Sequence, residues 1–314
     1  MTTNSVSNTA PGTVRRSLGR TRPRYGERVI QVVLLAAALV SVATTVGIVV
    51  SLVPPTVEFF SQVSWREFFG GTDWAPLFNP PGYGVWPLVT ATLLITGIAI
   101  LVAVPLGLAS AIYLSEYATP RTRTTFKPIL EILAGIPTVV YGFFALKFVT
   151  PQLQHLLPVN VDVFNALAAG IVMGIMIIPT VASLSEDAMA AVPQALRHGA
   201  YALGSTKRTV SLRVVVPAAL SGIVAAIVLG LSRAVGETMI VAIAAGNQPN
   251  LTFNPLQAMQ TMTGFIASAG SGDLPTASLH YKTIFAVGAL LFVMTFAMNF
   301  LSIRLVRRFR EVYE

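Results

Sequence analysis

The sequence contains no cysteine, which excludes disulfides, thiol nucleophiles and thiolate metal sites. It has only three histidines, His155, His198 and His280, far apart in the chain. Neither an imidazole metal site nor a histidine-centred catalytic group follows from them, and no metal is expected. No GxxxxGK[ST] segment occurs, so the chain lacks the loop that cradles nucleotide phosphates in P-loop ATPases. Charge is scarce too. Of 314 residues, 11% are Asp, Glu, Lys or Arg and 54% are hydrophobic, with a mean hydropathy of +0.70. A soluble domain of that composition could not cover its surface with polar groups, which leaves an integral membrane protein.

What is present is a set of long apolar runs. A hydrocarbon core of about 30 Å needs about 20 helical residues to cross it. Six stretches qualify: 29–53, 87–114, 129–149, 165–184, 218–245 and 283–303. The first is too long for the short apolar stretch of a cleaved signal peptide and reads as a retained anchor. The basic residues then fall on alternate sides. Six arginines from Arg15 to Arg28 precede the first run; Arg121, Arg123 and Lys127 follow the second; Arg197, Lys207, Arg208 and Arg213 follow the fourth; Arg304, Arg307, Arg308 and Arg310 close the chain. The opposite side holds only Arg66 and Lys282. By the positive-inside rule both termini and the second and fourth loops are cytoplasmic. The expected architecture is all-α, with six transmembrane helices. Its parts are a disordered basic tail at 1–28, a first helix at 29–53, an external loop at 54–86, a five-helix core at 87–303 and a cytoplasmic tail at 304–314. The basic tail reads as a topology signal rather than a nucleic-acid-binding segment, so no nucleic acid is expected and the contact is with membrane lipid.

Inside the core, the cytoplasmic loop 185–217 is long for a connection between packed helices. Ser183 and Glu186 have capping-box spacing. Pro193 suits the first turn of a new helix, on which Ala195, Leu196, Ala200 and Leu203 make a weakly apolar face. Gly204 suits that helix's C-terminus, and Ser205 or Thr206 can cap the next. The loop is therefore expected to hold two or three short helices facing the cytoplasm.

The segment LSRAVGETMIV at 231–241 places Arg233 and Glu237 within an apolar run. On a continuous helix they lie about 40° apart, on the side that carries Gly230 and Ala244, opposite Val228, Leu231, Val235 and Met239. Small residues mark helix contacts in membranes and bulky aliphatics suit lipid, so the charges belong to a packed or cavity-lining face. Spacing of four residues lets them pair with each other. An unpaired charge at that depth costs about 2.5–3.5 kcal/mol even on insertion scales, which makes the pair a functional-site hypothesis. A guanidinium on a translocation path favours an oxyanion. In AGIPTVVYG at 134–142, Gly135 and Pro137 are expected to kink a span; a packing kink is the first reading, and a path lined by Thr138 or Tyr141 is the alternative. Gly170 and Gly174 have the spacing of a close helix contact. Trp65, Trp74 and Trp86 suit an interfacial aromatic belt.

Four stretches carry a family resemblance. In the loop, His198-Gly199-Ala200 is followed after three residues by Gly204 and then, nine residues on, by Val214-Val215-Val216-Pro217. This spacing resembles the Glu-Ala-Ala…Gly…Ile-x-Leu-Pro motif of ABC importer permeases, with His198 standing where that family has Glu. LSRAVGETMIVAIAAGN (231–247), EILAGIPTVVYGFFAL (131–146) and FFGGTDWAPLF (68–78) look like segments of the PstC-type permeases of phosphate-specific ABC importers. The similarity extends over most of residues 60–305.

The resemblance implies the type I (MetI-like) permease fold, and a coupling helix in which Leu196, His198, Gly199, Ala200, Leu203, Gly204 and Pro217 seat in an ATPase. Its implied partners are a PstA-like second permease, two ATPase subunits that hold ATP and Mg, and an extracytoplasmic phosphate-binding protein. This chain would bind no cofactor and carry out no catalysis itself; it would sit in the inner membrane, moving phosphate past Arg233 and Glu237. A permease for sulfate or another oxyanion, a secondary transporter coupled through Glu237, and a scaffold in which the pair is a clamp also accommodate these residues.

Overall fold

A computed structural model describes residues 25–308 apart from Asp273, Thr276 and Ala277. The basic stretch before Tyr25 and the end of the C-terminal tail lie outside the described residues. The chain divides at Val50/Ser51 into two units. In the first, the described residues are helical throughout and exposed nearly throughout. They belong to α1, Tyr25–Gln62, whose apolar surface suits lipid contact.

The second unit is built on α3, Trp86–Ile112, and α7, Ala166–Ala190. Both are long and apolar enough to cross a membrane, as are α1 and the C-terminal helix α13, Leu279–Arg308. Two further spans are broken. The first joins α4, Pro120–Ala134, to α5, Thr138–Phe144, and on through a π-helical turn into α6, Thr150–Leu156, with a bend of 87°. The second runs from Lys207 through Ala218, bends by 70°, and continues as α11, Leu220–Val235. Four helices plus two bent pairs give up to six crossings by length and composition.

Caps and breakers account for these limits. Thr119 accepts from Thr122 N at 3.2 Å and starts α4 just before Pro120. Gly135 ends α4, with its N–H on Ile132 O at 3.0 Å, and Pro137 opens α5. A proline has no N–H to continue the ladder and disfavours helical geometry in the residue before it, so the run bends there. Asn165 caps α7, its Oδ1 accepting from Ala168 N at 2.7 Å while Nδ2 donates to Thr150 Oγ1 at 3.2 Å.

Small residues bring α3 and α7 together. Ala91, Ile95, Ala99 and Ala103 form a four-residue ladder on α3, packed with Val172, Met173, Met176 and Ile177 of α7. A Cβ on Gly170 would lie 2.7 Å from Ile98 Cβ, and one on Gly174 2.8 Å from both Ala99 O and Val102 Cβ. Such backbone approach is how helices associate where lipid removes the hydrophobic drive. Gly174→Ala is therefore expected to destabilise by about 1–3 kcal/mol through overpacking. Gly199→Ala, with nothing within 4 Å of its Cβ, should be neutral or stabilise by up to about 1 kcal/mol through helix propensity. Thermal unfolding of the detergent-solubilised protein checks the contrast; equal midpoints would contradict the close α3–α7 contact.

Two boundaries and two residues, Trp74 and Glu186, differ from the sequence reading. The first helix does not end at 53: α1 reaches Gln62, and beyond it α2 spans Trp65–Gly70 and β1 (Trp74–Ala75) pairs antiparallel with β2 (Gly82–Tyr83). Trp74 is not in a belt but buried, its ring 5.0 Å edge-on from Phe265 of α12, Met262–Gly270; Trp65 and Trp86 remain exposed. The loop expected to begin at 185 starts at Ala191, because α7 runs on through Ser183 and Glu186. Glu186 caps nothing. It is fully buried, pairing with Arg123 and, at 3.0 Å, with Lys127 of α4. These partners outcompete a local cap that the spacing alone suggested.

Candidate functional site

Arg233 occupies the last turn of α11, half-buried, and its Nη1 donates to Thr180 Oγ1 on α7 at 3.2 Å. Thr180 lies 14 positions from the start of α7 and ten from its end, about 21 Å and 15 Å along the axis. The guanidinium is thus deep in the span. Next to it, Ser232 Oγ donates to Asn299 Oδ1 of α13 at 2.6 Å, which fixes the end of α11 against the last helix.

The continuous helix expected over 218–245 does not exist. Helix α11 stops at Val235, Gly236 forms its C-cap, and Glu237 and Thr238 are non-helical before the chain turns helical again at Met239. Glu237 Oε1 accepts from Met239 N at 3.0 Å and Ile240 N at 3.3 Å. That carboxylate caps the new helical start, where free N–H groups and the helix dipole favour negative charge. Its carbonyl oxygen accepts from Thr263 Oγ1 of α12 at 2.7 Å. Among the described residues no ion pair joins Arg233 to Glu237. The spacing that would pair them holds only within one unbroken helix, and Gly236 ends it.

The second break adjoins the first. A Cβ on Gly142 of α5 would lie 3.2 Å from Met239 O and 3.0 Å from Ile243 Cβ, so α5 packs on the segment that follows Glu237. Tyr141 spans its own bend, donating to Leu133 O at 3.0 Å. Thr138, first residue of α5, is half-buried. Gly135 and Pro137 form the 87° bend itself. The structure thus sets Arg233 against Thr180 and gives Glu237 another task. Sequence reasoning missed Thr180, Ser232 and Asn299. The hydroxyl following Pro179 in an uncharged span was the available signal for Thr180.

A polar wall flanks the break. Thr92 Oγ1 of α3 accepts from Met262 N at 3.0 Å, and Thr261 caps α12 through Gly264 N at 3.0 Å. Before α12 the chain is non-helical and buried from Ala258 to Thr261. It is tied to the start of α7 by Ala166 N on Gln257 O at 3.2 Å and Leu167 N on Pro255 O at 2.8 Å. Non-helical backbone inside a membrane protein requires such internal partners.

The loop after α7 forms α8, Gln194–Ala202, and α9, Lys207–Val210, then a π-helical turn and α10, Val216–Ala218. Gly204 closes α8 with φ +79°, a conformation that costs glycine little, and Thr206 caps α9 through Thr209 N at 3.3 Å. Leu196, His198, Gly199 and Leu203 are exposed, Leu203 at 88%. Ala200 packs inward with Val210 and Val215. Pro217 lies in the short helix before the 70° bend. An apolar strip facing outward from a nine-residue helix suits a protein groove better than water.

Comparison with known proteins places this geometry. Residues 103–311 match the family described as "binding-protein-dependent transport system inner membrane component". The chain is 35% identical over 284 residues to a probable ABC transporter permease, YqgH, of Bacillus subtilis, covering 90% of this chain and 91% of that one. It is 35% identical over 256 residues to the phosphate transport system permease PstC of Xylella fastidiosa, covering 76% and 77%. The backbone resembles a bacterial alginate ABC transporter solved with an alginate-bound periplasmic protein, with a TM-score of 0.61 at 15% identity over 91% of this chain and 98% of that one. It also resembles the inward-facing MetNI methionine transporter, with a TM-score of 0.53 at 20% identity over 73% and 95%.

Proposed function

The chain belongs to the family of binding-protein-dependent transport system inner membrane components, and from that premise we propose that it is the PstC-type permease subunit of an ATP-driven importer of inorganic phosphate. Named PstC relatives support the cargo. The observation that carries the reading at the level of residues is Arg233, deep in a span, held by the neutral hydroxyl of Thr180 rather than by a carboxylate. A cation in that position keeps its charge for a passing anion, and its planar fork suits a phosphate oxygen pair. The nearby acid, Glu237, is occupied by backbone amides, so it does not compete for the guanidinium.

In this reading the chain is a non-catalytic, multi-pass subunit of the cytoplasmic membrane with both termini inside, as the basic loops require. A PstA-like permease completes the path, two ATPase subunits bind ATP and Mg, and a phosphate-binding protein delivers cargo from outside. The exposed face of α8 docks the ATPase. Its motion passes through α9 and α10 to α11, which carries Arg233 at its far end. Alternating access follows when that helix swings about the bend near Ala219.

The test is reconstitution of all four kinds of subunit in liposomes with ATP on the cytoplasmic side. Radiolabelled phosphate should accumulate only when ATPase, second permease and binding protein are all present, and labelled sulfate should not. Phosphate entry that persists without the ATPase would instead establish a secondary transporter.

A further inference from the structure

Two ionic groups at the cytoplasmic side have no place in the anion path, and one of them links the coupling segment to the spans. Arg197 lies on α8, opposite the exposed strip, with its side chain only 10% exposed. Its Nη2 pairs with Glu116 Oε1 at 3.0 Å and donates to Met189 O at 2.8 Å, while Nη1 donates to Val192 O at 2.5 Å. Glu116, 5% exposed, sits in the π-helical turn Tyr113–Tyr117 that ends α3. Met189 is in the last turn of α7, and Val192 lies just past its end. One guanidinium therefore joins α8 to the inner ends of both central helices. A second tie runs parallel to it, with Lys207 Nζ of α9 5.0 Å from the ring centroid of Tyr117.

Resting on the reading of this chain as the permease of an ATP-driven importer, we propose that Arg197 and Glu116 form the joint that passes displacement of α8 to α3 and α7. The argument is mechanical. Apart from the joint, α8 is anchored inward through Ala200, whose small apolar contact resists sliding poorly. A fork with donors on carboxylate and carbonyls fixes distance and direction together. A buried ion pair is a weak device for stability, since apolar residues of equal volume do as well, but a strong one for holding a register between elements. Arg197 is here a positioning residue. It touches neither phosphate nor, from its burial, the ATPase.

The test uses the complete complex and the absence of cysteine from this chain, with cysteine-free partners. Spin labels at Gln194→Cys on α8 and Leu101→Cys on α3, both exposed positions, report the α8–α3 distance by pulsed electron resonance. With native Arg197 and Glu116 the distance distribution is expected to be narrow and the same without nucleotide and with trapped ATP. In Arg197→Met, and in the double variant Arg197→Met/Glu116→Met that leaves no buried ion unpaired, trapped ATP should shift or split it. Phosphate moved per ATP hydrolysed should then fall about tenfold or more. Variants with native distances and native transport per ATP would overturn the joint, as would a distance that already changes in the native protein. Failure of both variants to assemble would also overturn it, leaving a folding element only. If the native distances behave as expected and no phosphate enters, the cargo assignment falls and the joint stands.

Discussion

Replacement of Arg233 by Gln is expected to reduce phosphate uptake at least a hundredfold while leaving the assembled complex at native abundance. Glutamine stays polar but reaches two bonds less far than the guanidinium, which now meets Thr180 at 3.2 Å. Giving up that one hydrogen bond costs about 0.5–1.5 kcal/mol, too little to dismantle the complex, and the larger loss is electrostatic. What is lost is charge. Hydrogen bonds to a charged group contribute about 1.5–3 kcal/mol each, and a bidentate fork makes two of them to one oxyanion. At about 1.4 kcal/mol per factor of ten, their loss exceeds two decades. Lysine keeps the charge without the fork, so Arg233→Lys should retain an intermediate rate. Radiolabelled uptake in cells lacking other phosphate systems, normalised to membrane abundance, measures all three. Native uptake in Arg233→Gln would reduce the guanidinium to a tie between α11 and α7.

Glu237 gives the second large effect, and here the two substitutions should diverge. Glu237→Gln keeps an oxygen for Met239 N and Ile240 N, so the helical start stays capped and uptake should remain within about threefold of native, since a few tenths of a kcal/mol are at stake. Glu237→Ala removes the cap. That costs about 0.5–2 kcal/mol at a helix start, and more where the freed amides are cut off from water. The break beside Arg233 then loses its shape and uptake should drop more than tenfold. A proton-coupled carrier working through Glu237 predicts the opposite pattern, with Gln as damaging as Ala because neither can titrate. Uptake across the two variants therefore separates a capping carboxylate from a coupling one.

Much of this architecture could be read from local signals. Pro193, Gly204 and Thr206 bounded the short helices α8 and α9 because a cap or a breaker acts within a few residues of itself. The bend at Gly135–Pro137 was legible for the same reason. Gly170 and Gly174 marked a close contact without naming the partner, which turned out to be α3. The misreadings concern residues whose partners are distant in sequence. Glu186 mimicked a capping box, yet its cations, Arg123 and Lys127, lie on α4. Arg233 and Glu237 seemed a pair because the four-residue rule assumes one helix, and a single glycine inside an apolar run gives no sign of whether it interrupts that helix or merely packs. Thr180 carried no periodic signal at all, since one threonine in an uncharged span disturbs neither hydropathy nor face.

In the proposed mechanism phosphate meets Arg233 beside Thr180, and the absence of cysteine from this chain allows that encounter to be probed chemically. Thr180→Cys places a unique thiol of this chain beside the guanidinium. In the assembled complex with cysteine-free partners, an anionic methanethiosulfonate should modify that thiol faster than a cationic one of similar size. Phosphate at transported concentrations should slow the reaction, whereas chloride at equal ionic strength should not. If the two reagents react alike and phosphate gives no protection, the anion does not pass Arg233 and the account is wrong at its centre.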